Sequence, residues 1–280
     1  MFNIGNIGNN IINGTKGIEG IDLLSDEIQK SLNNILPSDK EIKSGDLSKF
    51  FKKQNIEGID LDIIYDTFEL QDNFNENVIP DWKHQNLDWW MAVDDEIMEV
   101  LNSVNWKWWK NSKNLSEVGK KVDIANVEVE LVDLFHFLIS KGIEQKKENF
   151  MLTMLLAATK YNKKYEPLEI IKKVRYEMKL FSQLGIFEMV FIKWLEIWFG
   201  MDKDLDYLMK AYRIKNALNI VRQKFGYKQG TYEKIWDKEK GYEDNVIAWK
   251  IAEKLELNKE FFNKLIDELS KYYLTYVKPF

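Results

Sequence analysis

Four carboxylates in two pairs are the residues of this sequence best placed to do chemistry. Glu96 and Glu99 lie three residues apart, and so do Glu130 and Asp133. At helical pitch each pair shares a face. The second pair falls in the stretch 122–141, where Val127, Leu131, Leu134, Phe135 and Leu138 mark one apolar face and Val129, Val132 and Ile139 add apolar surface elsewhere. A helix apolar nearly all round belongs in an interior. Asn126, Glu130 and Asp133 nevertheless run through it as a polar stripe at i, i+4, i+7. Buried ionised carboxylates without partners cost on the order of several kcal/mol each. The stretch before it has the same design, with Val93, Ile97, Val100, Leu101 and Val104 facing a core and Glu96 and Glu99 on another face.

Packed side by side, two such segments bring four negative charges together. A hard, oxygen-ligated cation, Mg²⁺ or Mn²⁺, relieves that repulsion. Carboxylate-held Mg²⁺ serves phosphoryl chemistry, where it neutralises phosphate oxygens and activates water. A nucleoside triphosphate, itself strongly anionic, needs such ions to approach an acidic cluster. Either acidic pair alone is the ordinary mark of a solvated helix face. The pair inside an apolar helix, repeated on the preceding helix, is what points to a metal site. Zinc held by histidines is disfavoured, because the chain has two His, His84 and His136, and no two-His spacing.

The elements that must position these groups are helices. Helical spacing predicts segments near 58–75, 84–103, 122–141, 146–162, 167–183, 186–199, 203–224, 243–256 and 258–275, with no strand pattern of useful length and no internal repeat. The expected fold class is all-α, a helical bundle occupying residues 56–280 behind an extension of residues 1–55. That extension begins with a segment rich in Asn and Gly, which predicts irregular backbone. An amphipathic stretch through Ile21, Leu24, Ile28, Leu32 and Ile35 follows and stops at Pro37.

Composition excludes other classes. The 280 residues contain no Cys, which removes disulfides, thiolate catalysis and zinc ribbons. Net charge is −5 with scattered basic residues, so a nucleic-acid polymer is not the expected partner. The start lacks a basic segment followed by an apolar one, and no apolar run reaches membrane-spanning length. The expectation is a soluble, intracellular, cytoplasmic protein without membrane association.

Further motifs surround the acidic pairs. They are Leu70-Gln71-Asp72-Asn73-Phe74-Asn75, Trp106-Lys107-Trp108-Trp109-Lys110 and the run from Asn126 to Phe137. Toward the C-terminus come Lys215-Asn216-Ala217-Leu218-Asn219-Ile220-Val221-Arg222-Gln223, then Gly226-Tyr227 to Gly230, then Tyr232, Lys234 and Trp236, then Glu243-Asp244-Asn245. In this order and spacing, over roughly residues 57–280, the chain resembles the all-α dimeric dUTPases, part of the wider all-α nucleoside triphosphate pyrophosphatase superfamily. The paired acidic motifs alone mark the superfamily, whereas the Trp-Lys block and the C-terminal signature are more specific.

The resemblance implies metal-dependent hydrolysis of dUTP, and of dUDP, to dUMP, with Glu96, Glu99, Glu130 and Asp133 as metal ligands and Glu96 or Glu99 activating the water. It also implies a homodimer. Gln71 and Asn75, at i and i+4, carry amides that suit the uracil edge. His136 and Phe137 are expected near base and sugar, Phe137 excluding a 2′-hydroxyl. Lys107, Trp108, Lys110 and Asn126 are further candidate substrate contacts. Lys215, Asn219 and Arg222 fall at i, i+4, i+7, and the Arg222 fork suits phosphate oxygens. Gly226 and Gly230 bracket Tyr227 in a tight loop that leads to Tyr232 and Lys234 and is suited to closing on substrate.

The extension matches nothing in that pattern and is either a packed tail or an arm for a protein partner. Helices 146–162 and 186–199, loaded with Met151, Leu155, Phe187, Phe191, Trp194 and Trp198, are expected to contribute to the dimer interface. Two other functions fit the same motifs. One is a related pyrophosphatase for dCTP or modified nucleotides, with the same acidic cage and a different base pocket. The other is a non-catalytic assembly protein retaining the fold.

Overall fold

The helical spacing resolves into helices close to the expected places. A computed structural model describes residues 61–110 and 115–278. The extension of residues 1–55, with its amphipathic stretch, lies outside the described residues. In chain order the α-helices are α1 (Leu61–Val78), α2 (Trp89–Asn102), α3 (Ile124–Glu144), α4 (Glu148–Ala158) and α5 (Pro167–Lys173), then α6 (Lys179–Gln183), α7 (Phe187–Gly200), α8 (Leu205–Lys224), α9 (Asp244–Ala252) and α10 (Phe261–Tyr272). The fold is all-α. One small element escapes the sequence pattern, an antiparallel hairpin of β1 (Ile235–Asp237) and β2 (Tyr242–Glu243). At three and two residues it is too short to show a two-residue period.

The described chain divides into two compact units, residues 87–205 and residues 62–86 with those from 206 onward. In the first unit α2 and α3 begin at side-chain caps. Asp88 accepts from the Met91 N–H at 3.1 Å, and Asp123 accepts from the Asn126 N–H at 3.1 Å. Such caps contribute about 1 kcal/mol each. The core partner of α3 is α7, in which every residue except Glu188 is buried. Its Trp194 ring stacks on Phe135 of α3 at 4.5 Å and donates its indole N–H to the Leu131 carbonyl at 2.9 Å. Burial of side chains of this size stabilises by roughly 1.5–3 kcal/mol apiece. Gly142 of α3 meets α4 so closely that a Cβ there would run into the Met151 sulfur.

This packing corrects one expectation. Met151, Leu155, Phe187, Phe191, Trp194 and Trp198 are buried inside the chain itself. Their apolar load fills the unit's own core and leaves these side chains no surface for a second copy.

Between α5 and α6 the helix continues through a π-helical turn, Val174–Met178, in which the Lys179 N–H reaches back to the Val174 carbonyl. The run 167–183 is thus continuous, as its spacing predicts, with one wide turn. Gly185, at φ +66°, closes it. The second unit has its own core, built from Ile214, Leu218 and Val221 of α8, Trp236 of the hairpin, Ile247 of α9 and Phe261, Leu265 and Leu269 of α10.

Candidate active site

The segment joining α2 to α3 is tied at both ends, which holds the two helices antiparallel. Val104 and Val122 form an isolated antiparallel bridge, and the Asp123 N–H donates to the Ser103 carbonyl at 2.9 Å. Asn105, next to that bridge, adds a second tie. Its side chain donates to the Glu117 carbonyl at 2.9 Å and accepts from the Gly119 N–H at 3.0 Å.

With the helices so fixed, three of the four expected carboxylates converge. One oxygen each from Glu96, Glu130 and Asp133 lies within 4.8 Å of the others. Glu130 is buried, while Glu96 and Asp133 are half-buried. Glu99, one turn further along α2, is exposed and stands outside the trio. Two unit charges at that separation repel by about 3 kcal/mol at an effective dielectric near 20. The donors are all hard carboxylate oxygens, and their spread approaches the roughly 4 Å across an octahedral Mg²⁺ shell. The residues present therefore fit a divalent cation.

Other predicted residues of this unit fall around the trio. Asn126, one turn before Glu130, donates to the Ser103 hydroxyl at 2.9 Å. His136 is buried and Phe137 half-buried, one turn beyond Asp133. Trp108 and Trp109 are 60% and 51% exposed and meet edge to face at 5.6 Å. Lys110 is exposed beside them, and the Lys107 ammonium lies 5.5 Å from the Trp106 ring.

In the second unit Gln71 and Asn75 share a face of α1, as predicted, and both are buried. The Gln71 amide donates to the Asn75 Oδ1 at 2.9 Å. Tyr212, which the sequence reading passed over, donates to the Gln71 Oε1 at 2.9 Å, and Asn216 donates to the Tyr212 oxygen at 3.1 Å. The Tyr212 phenol is pushed well above its ordinary range, chiefly by complete burial, so it serves as a neutral donor. Its signal was available in the sequence, because Tyr212 and Asn216 stand at i and i+4 beside Lys215.

The Arg222 guanidinium is engaged within the second unit. Its Nε and Nη2 donate to Asp244 at 2.8 and 2.9 Å, and its Nη1 donates to the Asn219 Oδ1 at 3.2 Å. Asp244 is fully buried and also accepts from the Tyr232 hydroxyl at 2.9 Å. The Tyr232 phenol is raised by burial first and then by the Asp244 charge. Lys215 is half-buried on α8, Tyr227 is exposed, and Lys234 pairs with Glu243 at 3.2 Å. Gly226 and Gly230 both take positive φ, and the Thr231 N–H returns to the Gly226 carbonyl at 3.0 Å, so the loop is tight as its glycines imply.

No curated protein matches the chain. A family model described as dUTPase matches residues 63–227, a span that contains both acidic pairs, the paired amides and the α8 signature. That match covers more than half of the sequence, the helical architecture agrees with it, and the chain belongs to the all-α dUTPase family, whose members are dUTP diphosphatases.

Proposed function

We propose that the chain hydrolyses dUTP, and also dUDP, to dUMP in a reaction that requires Mg²⁺ or Mn²⁺ held by Glu96, Glu130 and Asp133, with Glu99 completing the set. The observation that carries this reading is the convergence of three carboxylates on two antiparallel helices inside the family-matched segment. A bound cation there would offset phosphate charge and acidify water. Glu96 or Glu99 takes the proton of the attacking water. The water oxygen bonds to the α-phosphorus, the bond to the α–β bridging oxygen breaks, and pyrophosphate leaves with that oxygen. For dUDP the same step releases phosphate.

The remaining residues bind and orient. Gln71 and Asn75 read the uracil edge, their amides offering both donors and acceptors. Their burial and the Tyr212 contact hold them in one geometry, which favours a fixed recognition pattern. Phe137 lies beneath the deoxyribose, with His136 and Asn126 near it. Lys107, Trp108, Lys110, Lys215, Asn219, Tyr227, Tyr232 and Lys234 contact the nucleotide or its phosphates. Arg222, held by Asp244 and Asn219, brings positive charge toward the phosphates. Residues 56–280 form the catalytic part, and residues 1–55 are an appendage suited to a protein partner.

We further infer a homodimer, as in related enzymes. Support comes from Leu180 and Leu184, one turn apart and 42% and 55% exposed, with Tyr176 one turn before them. These side chains are apolar surface that the first unit's own core does not use.

Metal titration of wild type against Glu130→Gln and Asp133→Asn tests the reading. The expected result is loss of turnover by about a hundredfold or more, with Mn²⁺ binding weakened and the fold retained. Full Mg²⁺-dependent turnover in either variant would show that these carboxylates are not the ligands.

A further inference from the structure

The stripe of α3 that carries Glu130 and Asp133 continues at helical spacing through Phe137, Lys141 and Glu144. Trp89 opens α2, two turns before Glu96 and on the same side of that helix. Its ring is buried and lies 6.3 Å from the Phe137 ring, the planes tilted by 42°. The indole N–H donates to the Glu144 Oε1 at 3.2 Å. The other oxygen of Glu144 accepts from the Lys141 ammonium at 2.6 Å. Both side chains of that ion pair are more than four-fifths buried. Phe137 therefore has a neighbour that is itself pinned by a charge-assisted hydrogen bond. A single ion pair on α3 closes the chain of contacts.

We propose that Trp89, braced by Glu144 and Lys141, is a positioning residue that fixes the Phe137 ring and so sets the preference for deoxyribose over ribose. This rests on the reading above in which Phe137 lies beneath the sugar. A steric filter rejects one extra hydroxyl only if the blocking ring cannot yield. A half-buried phenylalanine can swing about two side-chain bonds unless its neighbour occupies the space it would swing into. The buried Trp89 ring, 6.3 Å from that of Phe137, closes one side of that space. Its hydrogen bond to Glu144 keeps the indole from retreating. Replacing the indole by a smaller side chain leaves a void next to Phe137 that the surroundings fill only in part. The ring gains freedom, and a ribonucleotide gains room.

Steady-state kinetics with dUTP and UTP on wild type, Trp89→Leu, Trp89→Phe, Glu144→Gln and Phe137→Ala test this, with unfolding curves recorded for each. Trp89→Leu is expected to lower the ratio of kcat/KM for dUTP over UTP by about tenfold, the scale on which a pocket discriminates a single small group. The change should come through a lower KM for UTP, with kcat for dUTP within about threefold of wild type. Glu144→Gln should move the ratio the same way by less, and Trp89→Phe should move it least. If Trp89→Leu fails to fold, the two milder variants carry the test. A ratio unchanged in the Trp89 and Glu144 variants but collapsed in Phe137→Ala overturns the brace and leaves the sugar reading standing. A ratio unchanged in Phe137→Ala removes the sugar reading and the brace with it. Parallel losses for both substrates that track lost stability would make Trp89 a core residue and overturn the proposal.

Discussion

Three carboxylates brought within 4.8 Å of each other repel one another, and a divalent cation among them would offset that repulsion. Glu130 is buried and Asp133 half-buried, so water screens them less than it would on a surface. Neutralising one of them by amide substitution should make the protein no less stable while weakening the cation binding proposed for it. An increase in melting temperature of metal-free Glu130→Gln over metal-free wild type is the expected result, and a clear decrease would show that the carboxylate serves the fold. Arg222 has the opposite character. Its guanidinium holds a carboxylate with no solvent access, so Arg222→Ala should cost about 3–5 kcal/mol in urea unfolding. Lost turnover at unchanged stability would show that it serves the phosphates alone. The acidic pairs were legible in the sequence because their spacing is local and their setting apolar. The partner of Arg222 was not, since Asp244 lies 22 residues on, across a tight loop and a hairpin. Glu99 shares a face with Glu96, but spacing alone does not reveal that one turn along α2 leads out to solvent.

At the scale of elements, the helices were readable because each buries a stripe. The π-helical turn and the short hairpin were not, since neither changes the period over enough residues. The π-helical turn has an electrostatic consequence. Glu177 within it meets Lys173 at 3.2 Å and Lys193 of α7 at 3.1 Å, and Lys193 also holds the buried Glu196 at 3.0 Å. Burial works to raise the Glu177 carboxyl, but the two ammonium groups outweigh it and hold it below its ordinary 4.5. A depressed carboxyl contributes stability above its unfolded pKa and loses it as pH falls through the folded value. Glu177→Gln should therefore be less stable than wild type at pH 7, by about 1 kcal/mol for a half-exposed group. The gap should close as pH drops below 4.5. A gap independent of pH would mean that the contribution is packing. Lys193 mirrors this at the alkaline end. Burial opposes its charge, yet Glu196 and Glu177 raise its pKa above 10.5, so its contribution holds at neutral pH and is lost only as pH climbs past that range.

For the whole molecule, the family and the all-α class followed from the order of motifs along the chain. The surface proposed for assembly did not, because apolar content alone cannot separate a core from an interface. Helices α4 and α7 read as interface candidates and are core. The exposed pair Leu180 and Leu184 sits on α6 and its C-terminal cap, a segment of ordinary composition. Sedimentation at micromolar concentration should give a dimer for wild type, and a monomer after Leu180→Asp with Leu184→Asp. A monomeric wild type would remove the dimer altogether. Among the described residues no helix is long and apolar enough to cross a membrane.

The most direct test of the central claim is phosphate and pyrophosphate release from a panel of deoxynucleotides, each with Mg²⁺ and with the ion chelated. The account predicts turnover of dUTP to dUMP and pyrophosphate, and of dUDP to dUMP and phosphate, in the presence of the ion alone. Turnover of dCTP or modified nucleotides in preference to dUTP, or undiminished release of dUMP without a divalent ion, would contradict it.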